Sequence, residues 1–315
     1  MRNILMTLCY IGTAQLAGWR SRRFDDWVYC RCNHGKYFCT GGVLKNKNPL
    51  VFDRIQVEER AGMRNILMTL CYIGTAYHGS QVQSNALSVT EVVQDAMETV
   101  LHCREDVKGC SRTDAGVHAN RFCMNFHTNH PIPLYALKRS LNALLPDDIG
   151  VLDCREVPVD FHARYSCVGK RYRYLIWNAD GKNPFYRGRV LEYWQPLELE
   201  KLRPVCELLR GTHDFRGFCS SKADMEDTVR SVYRCEVERQ GSLVVFTIEG
   251  DGFLYNMVRI IVGTLLRVNE GKISLDQVRR ALEERNRSLA GITAPACGLY
   301  LDEVFYMRPD RWGNG

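Results

Sequence analysis

The sequence predicts an α+β fold: two similar halves, each a mainly antiparallel sheet with helices on one face, and a cleft between the halves. Three observations predict it. Short runs rich in β-branched and aromatic residues recur between apolar runs of helical period. Ser88 with Glu91, and Ser274 with Gln277, have the spacing of capping boxes, in which side chains satisfy orphan backbone N–H groups at a helix start. Two strand-like runs meet at Gln240 and Gly241, the signal of a hairpin. Hairpins and helices mixed in this way place helices on one side of antiparallel sheets.

The elements follow in order. Residues 64–75 are short, apolar and β-branched, a buried strand. After Ser88, the residues Val89, Val92, Val93, Ala96, Met97 and Val100 recur at helical spacing. A loop spans 104–120, and 121–128 alternates Phe122, Met124 and Phe126 on one face of a strand. Leu134, Leu137, Leu141, Leu144 and Leu145 share a helical face over 134–145, and Pro146 stops that helix. Strands follow at 149–157 and 170–178. A helix is expected at 199–211, with Pro204 as a dissenting residue. The hairpin joins 231–239 to 242–250. An apolar helix spans 254–269, a capped one runs from Ser274 to about Arg285, and 299–306 closes with a strand. The expected organisation is a 1–62 extension, halves at 63–165 and 166–306, and a 307–315 tail.

The 315 residues contain 45% hydrophobic and 25% charged residues, which excludes a wholly disordered or collagen-like chain. No apolar run approaches the ~20 residues that span a bilayer, so no membrane partner is expected. The formal charge is +6, a mild excess compatible with a nucleic-acid partner without requiring one. Residues 1–62 carry a net +5 of it and the other 253 residues a net +1. Any anion-binding surface after residue 62 must therefore come from local placement of charge. The 14 cysteines include no C-x-x-C pair and mostly sit in apolar stretches. They read as reduced thiols, and the compartment as cytoplasmic.

A repeat marks the start. MRNILMTLCYIGTA occupies residues 1–14 and again 63–76, identical at all 14 positions. Structural repeats keep a pattern and let residues drift, so this copy points to a recent duplication or a misassigned start. The second copy is expected to hold the strand position, since its sequence runs on without interruption into the following loop. The first 62 residues are expected to be poorly packed and dispensable. Cys30, Cys32, His34 and Cys39 suit zinc by ligand type but match no common finger spacing, and no metal is assigned.

The chemistry concentrates in 109–119, GCSRTDAGVHA. Arg112, Asp114 and His118 crowd one turn beside Gly116, in a loop between a helix and a strand. Taken alone, Asp114 is a nucleophile, a general base, a metal ligand or a turn residue bonding its own backbone. The flanking string is more specific. RTDAGVHA resembles the catalytic signature of the tRNA pseudouridine synthases, specifically the bacterial tRNA pseudouridine synthase A group. YIGTAYHGSQVQ at 72–83, FHARYS at 161–166, KRYRYLIWN at 170–178, GTHDFRGF at 211–218, DTVRSVY at 227–233, FLYNMVRIIVGTLL at 253–266 and GLYL at 298–301 resemble further strings of that family, in the same order.

The resemblance implies an isomerase that converts uridine to pseudouridine at positions 38–40 of the tRNA anticodon arm, acting as a cytoplasmic homodimer. No redox change occurs, so no cofactor is implied. It implies Asp114 as the catalytic nucleophile, attacking sugar or base, and Arg259 as its basic partner. A guanidinium fork fixes a carboxylate and keeps it ionised, and Arg259 lies four residues after Tyr255 on a mostly apolar helix. Tyr172 matches the active-site aromatic that stacks on a flipped base; its other reading is strand core, a role for which Tyr174 is the stronger candidate. Arg112 is implied in displacing the target nucleotide. Leu299 is implied in lining the uracil pocket, with Leu301 as a competitor. Lys170, Arg171, Arg173, Arg187 and Arg189 are candidate phosphate contacts or solvated strand ends.

Two departures stand out. The family usually carries Trp where this chain has Ser80, and it lacks residues 1–62. The rival readings are a catalytically silent tRNA-binding module and a zinc-dependent regulatory protein built on the extension.

Overall fold

The computed structural model describes residues 27–32, 35–40, 62–220 and 226–312. It divides into a unit of Met1–Ala61 and a unit of Gly62–Gly315. In the first, β1 (Trp27–Cys32) pairs antiparallel with β2 (Gly35–Thr40), with Cys30 opposite Tyr37 and Cys39 opposite Val28. The first copy of the repeat, residues 1–14, and His34 lie outside the described residues, as do the cysteine side chains of the extension's cluster.

The second unit is built on one ten-stranded sheet. Its strands are β3 (Arg64–Tyr72), β4 (Lys108–Gly109), β5 (His118–Thr128), β6 (Ile149–Val157), β7 (Gly169–Trp177), β8 (Leu191–Glu192), β9 (Gly211–Asp214), β10 (Val229–Gln240), β11 (Leu243–Gly250) and β12 (Leu299–Phe305). The order across the sheet is β6-β3-β5-β12-β7-β11-β10-β9, with β4 beside β5 and β8 beside β7. The second copy of the repeat therefore occupies an inner strand, β3, between β6 and β5. The half-sheets expected from the sequence are continuous. They join at β5 and β12, which run parallel with Tyr300 opposite His118 and Leu301 opposite Ala119. Strand alternation is visible to local reading, whereas this pair joins segments about 180 residues apart.

The helices are α1 (Val89–Leu101), α2 (Leu134–Leu144), α3 (Leu199–Leu209), α4 (Met257–Asn269) and α5 (Leu275–Glu283). Ser88 Oγ accepts the Glu91 N–H at 3.2 Å and Ser274 Oγ the Gln277 N–H at 3.1 Å, the bonds expected of caps. In α2, Leu137 and Leu141 are buried while Leu144 is half exposed, so the leucine face is narrower than its spacing suggested. Pro204 sits inside α3. Burial of Leu202, Val205, Cys206 and Leu209 offsets the ~3 kcal/mol a helix-interior proline costs. The apolar helix begins at Met257 instead of 254, because Asn256 adopts a left-handed φ of 60°. Tyr255 consequently precedes the helix, and its expected helical face with Arg259 does not exist.

The carboxylate of Glu249, fully buried, accepts hydrogen bonds from Arg171, Arg311 and Trp312. Burial by itself would raise this carboxyl, but those three donors hold it below its usual range. The anchored Trp312 also stacks on Tyr233, with ring centroids 4.4 Å apart. Residues 310–312 are thus packed on the sheet, within a segment expected as a tail. The ten cysteines of the second unit are free thiols. No described helix is long and apolar enough to cross a membrane.

Candidate active site

The 109–119 loop leaves β4, turns, and re-enters the sheet as β5, so its ends are fixed by the same strand. Its middle is held from beneath. Thr113 is buried, and its hydroxyl lies 2.9 Å from Tyr72 Oη. The Thr113 carbonyl accepts the Ser80 N–H at 3.2 Å. Gly79 permits that approach: its φ is +91°, and a Cβ there would stand 2.3 Å from the Thr113 oxygen. Beyond Asp114 the chain reverses through Gly116, with φ +76°, whose N–H donates to Tyr77 O at 3.2 Å. Gly116 thus serves the backbone geometry of the turn.

Asp114 and Arg259 meet across the join between the halves, Oδ2 to Nη1 at 3.1 Å, with side chains 26% and 18% exposed. The expected two-point fork is a one-point contact. Arg259 Nε donates instead to Ala294 O at 2.8 Å, and Nη1 also donates to Asn256 Oδ1 at 2.9 Å. Three acceptors therefore fix the guanidinium. Asp114 Oδ1 accepts no hydrogen bond among the described residues, which leaves it open to a substrate.

This pair lies in a cavity of about 430 Å³, a size that suits a small ligand or a single nucleotide. Arg112, Tyr172 and Leu299 also line it. All five residues named from sequence are brought together, two from the first half and three from the second. Tyr172 meets Phe253 edge-on, with centroids 5.1 Å apart, and burial pushes its hydroxyl pKa up. Tyr174 is fully buried and donates to Pro295 O at 2.8 Å, a core role. Leu299 lines the cavity, whereas Leu301 is fully buried between Ala119 and Tyr172 in the sheet and does not.

Sequence reasoning missed Phe253, Asn256 and Arg164, although each lies in a string it had singled out. It also grouped basic residues that the sheet separates. Side chains alternate along a strand. Lys170 and Tyr172 line the cavity, whereas Arg171 pairs with Glu249, Asp302 and Glu303, and Arg173 with Asp302. The Arg189 guanidinium donates to Phe185 O. The cavity wall carries Arg112, Arg164, Lys170 and Arg259 against the single acid Asp114. Local placement therefore supplies the positive charge that the bulk composition lacks.

His118 is not part of that wall. It is fully buried; Nδ1 accepts the Gly74 N–H at 3.0 Å, and Nε2 lies 3.1 Å from Cys297 O. Gly74 can only donate, so Nδ1 is the acceptor and Nε2 carries the proton. Burial, with a contribution from the charge of Arg189, lowers the pKa of this imidazole. The unfolded state then binds a proton that the folded state resists. The His118 contribution to stability is complete above the ordinary histidine pKa, about 6.5, and is lost as pH falls below it. His118→Gln keeps a donor for Cys297 and does not titrate. Its Tm should fall less than that of the wild type between pH 7.5 and pH 5.5; an equal fall would exclude His118 as the source.

Comparison with known proteins decides the family. The family described as tRNA pseudouridine synthase matches residues 69–166 and 205–307. The chain belongs to this family. Its curated relatives include the tRNA pseudouridine synthase A of Acetivibrio thermocellus, 46% identical over 244 residues, which are 78% of this chain and all of that protein. The proteins of the same name from Thermoanaerobacter sp. strain X514 and Exiguobacterium sibiricum are 45% and 43% identical over 244 residues, 78% of this chain and 100% and 97% of theirs. The family match begins inside the second copy of the repeat and includes Arg112, Asp114, Arg164, Phe253, Asn256, Arg259 and Leu299 of the cavity, whereas Lys170 and Tyr172 lie between its two segments.

Proposed function

We propose that this chain isomerises uridine to pseudouridine in tRNA, at positions 38–40 of the anticodon arm, with Asp114 as nucleophile. The observation that carries the reading is the Asp114–Arg259 pair beside Tyr172 in one cationic cavity, in a chain of this family. The two proposed halves, 63–165 and 166–306, each supply one side of that cavity.

A paired uridine reaches such a cavity only by leaving its stack, and Tyr172 with Phe253 offers aromatic surface to receive the base. The glycosidic N–C bond breaks, the uracil turns, carbon 5 bonds to the ribose, and a proton leaves carbon 5 while one is gained at the released nitrogen. The atoms balance without an oxidant or reductant, so the chemistry needs no redox cofactor. A carboxylate that attacks covalently divides this change into easier steps. Arg259 holds Asp114 in place through bonds that fix its own guanidinium to Asn256 and to Ala294. Arg112, on the exposed side of the loop, is suited to enter the space the nucleotide leaves.

The reading is tested by mapping pseudouridine in tRNA incubated with the protein; tRNA that binds without forming pseudouridine would favour the silent binding module. Arg164 and Lys170 are assigned to backbone phosphates. Arg164→Ala or Lys170→Ala should each flatten the dependence of log binding constant on log salt by about 0.7–0.9. An unchanged slope would remove the residue from the RNA contact. A cytoplasmic homodimer is the expectation that the family resemblance carries. The extension lies outside the family match, so a protein starting at Met63 should retain the activity of the full chain.

A further inference from the structure

Ser80 stands where the family usually has a tryptophan, and the structure shows what the hydroxyl does there. Ser80 is 1% exposed, and all of its polar atoms are engaged. Its N–H donates to Thr113 O at 3.2 Å. Its hydroxyl accepts the Thr113 N–H at 2.9 Å and donates to Ser111 O at 3.3 Å. Its carbonyl accepts the Thr90 N–H at 3.3 Å, in the first turn of α1. On either side, Gly79 O accepts the Val89 N–H at 3.1 Å, and His78 N–H donates to Leu87 O at 2.9 Å.

The 78–80 segment is therefore fastened to the start of α1 on one side and to the loop bearing Asp114 on the other. In a strand ladder, a backbone carbonyl would accept the Thr113 N–H. Here the chain turns away, and a side-chain oxygen takes the place of that carbonyl. Indole can donate a hydrogen bond but cannot accept one through its nitrogen, so the usual tryptophan would leave this buried N–H to another acceptor. Thr113 lies between Arg112 and Asp114, and its orientation sets both neighbours.

We propose that Ser80 is a positioning residue that ties the 111–113 arc to α1 and thereby aims Arg112 and Asp114 into the cavity. Ser80 does not itself line the cavity; it holds Ser111 and Thr113, which do. The activity part of the test rests on the proposed function; the hydrogen-exchange part does not. In the full chain, Ser80→Ala removes the hydroxyl, Ser80→Thr restores one, and Ser80→Cys keeps the shape with a weak acceptor. Exchange of the Thr113 amide is measured together with the single-turnover rate of pseudouridine formation and the Kd for tRNA.

Ser80→Ala should speed that exchange about tenfold, the loss expected when one buried amide loses its acceptor. The single-turnover rate should fall about tenfold or more, with a smaller change in Kd. Ser80→Thr should return exchange and rate toward wild type, and Ser80→Cys should resemble Ser80→Ala. If Ser80→Ala does not fold, the comparison of Ser80→Cys with Ser80→Thr decides. Unchanged exchange in the variant lacking the hydroxyl, or a threonine variant no better than it, overturns the clamp. A wild type that forms no pseudouridine would defeat the proposed function instead, leaving the exchange result to judge the clamp.

Discussion

Asp114→Asn is expected to abolish pseudouridine formation, lowering the single-turnover rate by about 10⁴-fold or more, the scale seen when a nucleophile that acts as part of a unit is removed. The substitution keeps the shape of the side chain. The amide oxygen still accepts from Arg259 Nη1, and that guanidinium keeps Asn256 and Ala294 as acceptors. The fold should therefore persist. Binding of tRNA should persist or tighten, because the cavity loses its acid and keeps Arg112, Arg164, Lys170 and Arg259. Rate and Kd, measured on the same tRNA, separate chemistry from binding. A variant within tenfold of the wild-type rate would mean that another group is the nucleophile.

Arg259→Ala is expected to lower the rate by about 10²–10³-fold, the usual consequence of removing one fixed charged partner from a reacting group. It should also lower stability by about 1–3 kcal/mol, because the Ala294 carbonyl and Asn256 amide lose their donor. Arg259→Lys distinguishes charge from geometry. An ammonium carries the charge but lacks the planar fork that reaches Asp114, Asn256 and Ala294 together. The lysine variant should recover only part of the rate. Full recovery would show that a positive charge suffices and that the bonds to Asn256 and Ala294 have no part in catalysis.

Much of the fold and site was legible beforehand because local signals carried it. Ser88 and Ser274 cap helices through bonds to residues three positions on, and the 149–157 strand needs only its own apolar, β-branched pattern. The loop of Arg112 and Asp114 was legible because a rare string marks it. The misses have definite causes. Apolar periodicity continued through 254–256, but the left-handed backbone of Asn256 delays the helix. Lys170 and Arg171 are neighbours in a basic run, yet successive strand residues face opposite ways, and one lines the cavity while the other pairs with buried Glu249. Only the second position of that pairing, far along the chain, reveals the difference.

The sequence by itself determined most element types, the family resemblance, and the loop and residues proposed for the chemistry. Those properties depend on near neighbours and on strings that stay contiguous. The tertiary structure decided what those residues touch. Asp114 and Arg259 are 145 positions apart, and they meet because β5 and β12 lie side by side as a parallel pair. The same packing brings Leu299 to the cavity, hides Leu301 in the sheet, and turns Ser80 from a missing aromatic into a buried hydroxyl with two partners. Such contacts are set by where the whole backbone places each polar group, and a buried donor must find whatever acceptor that placement supplies.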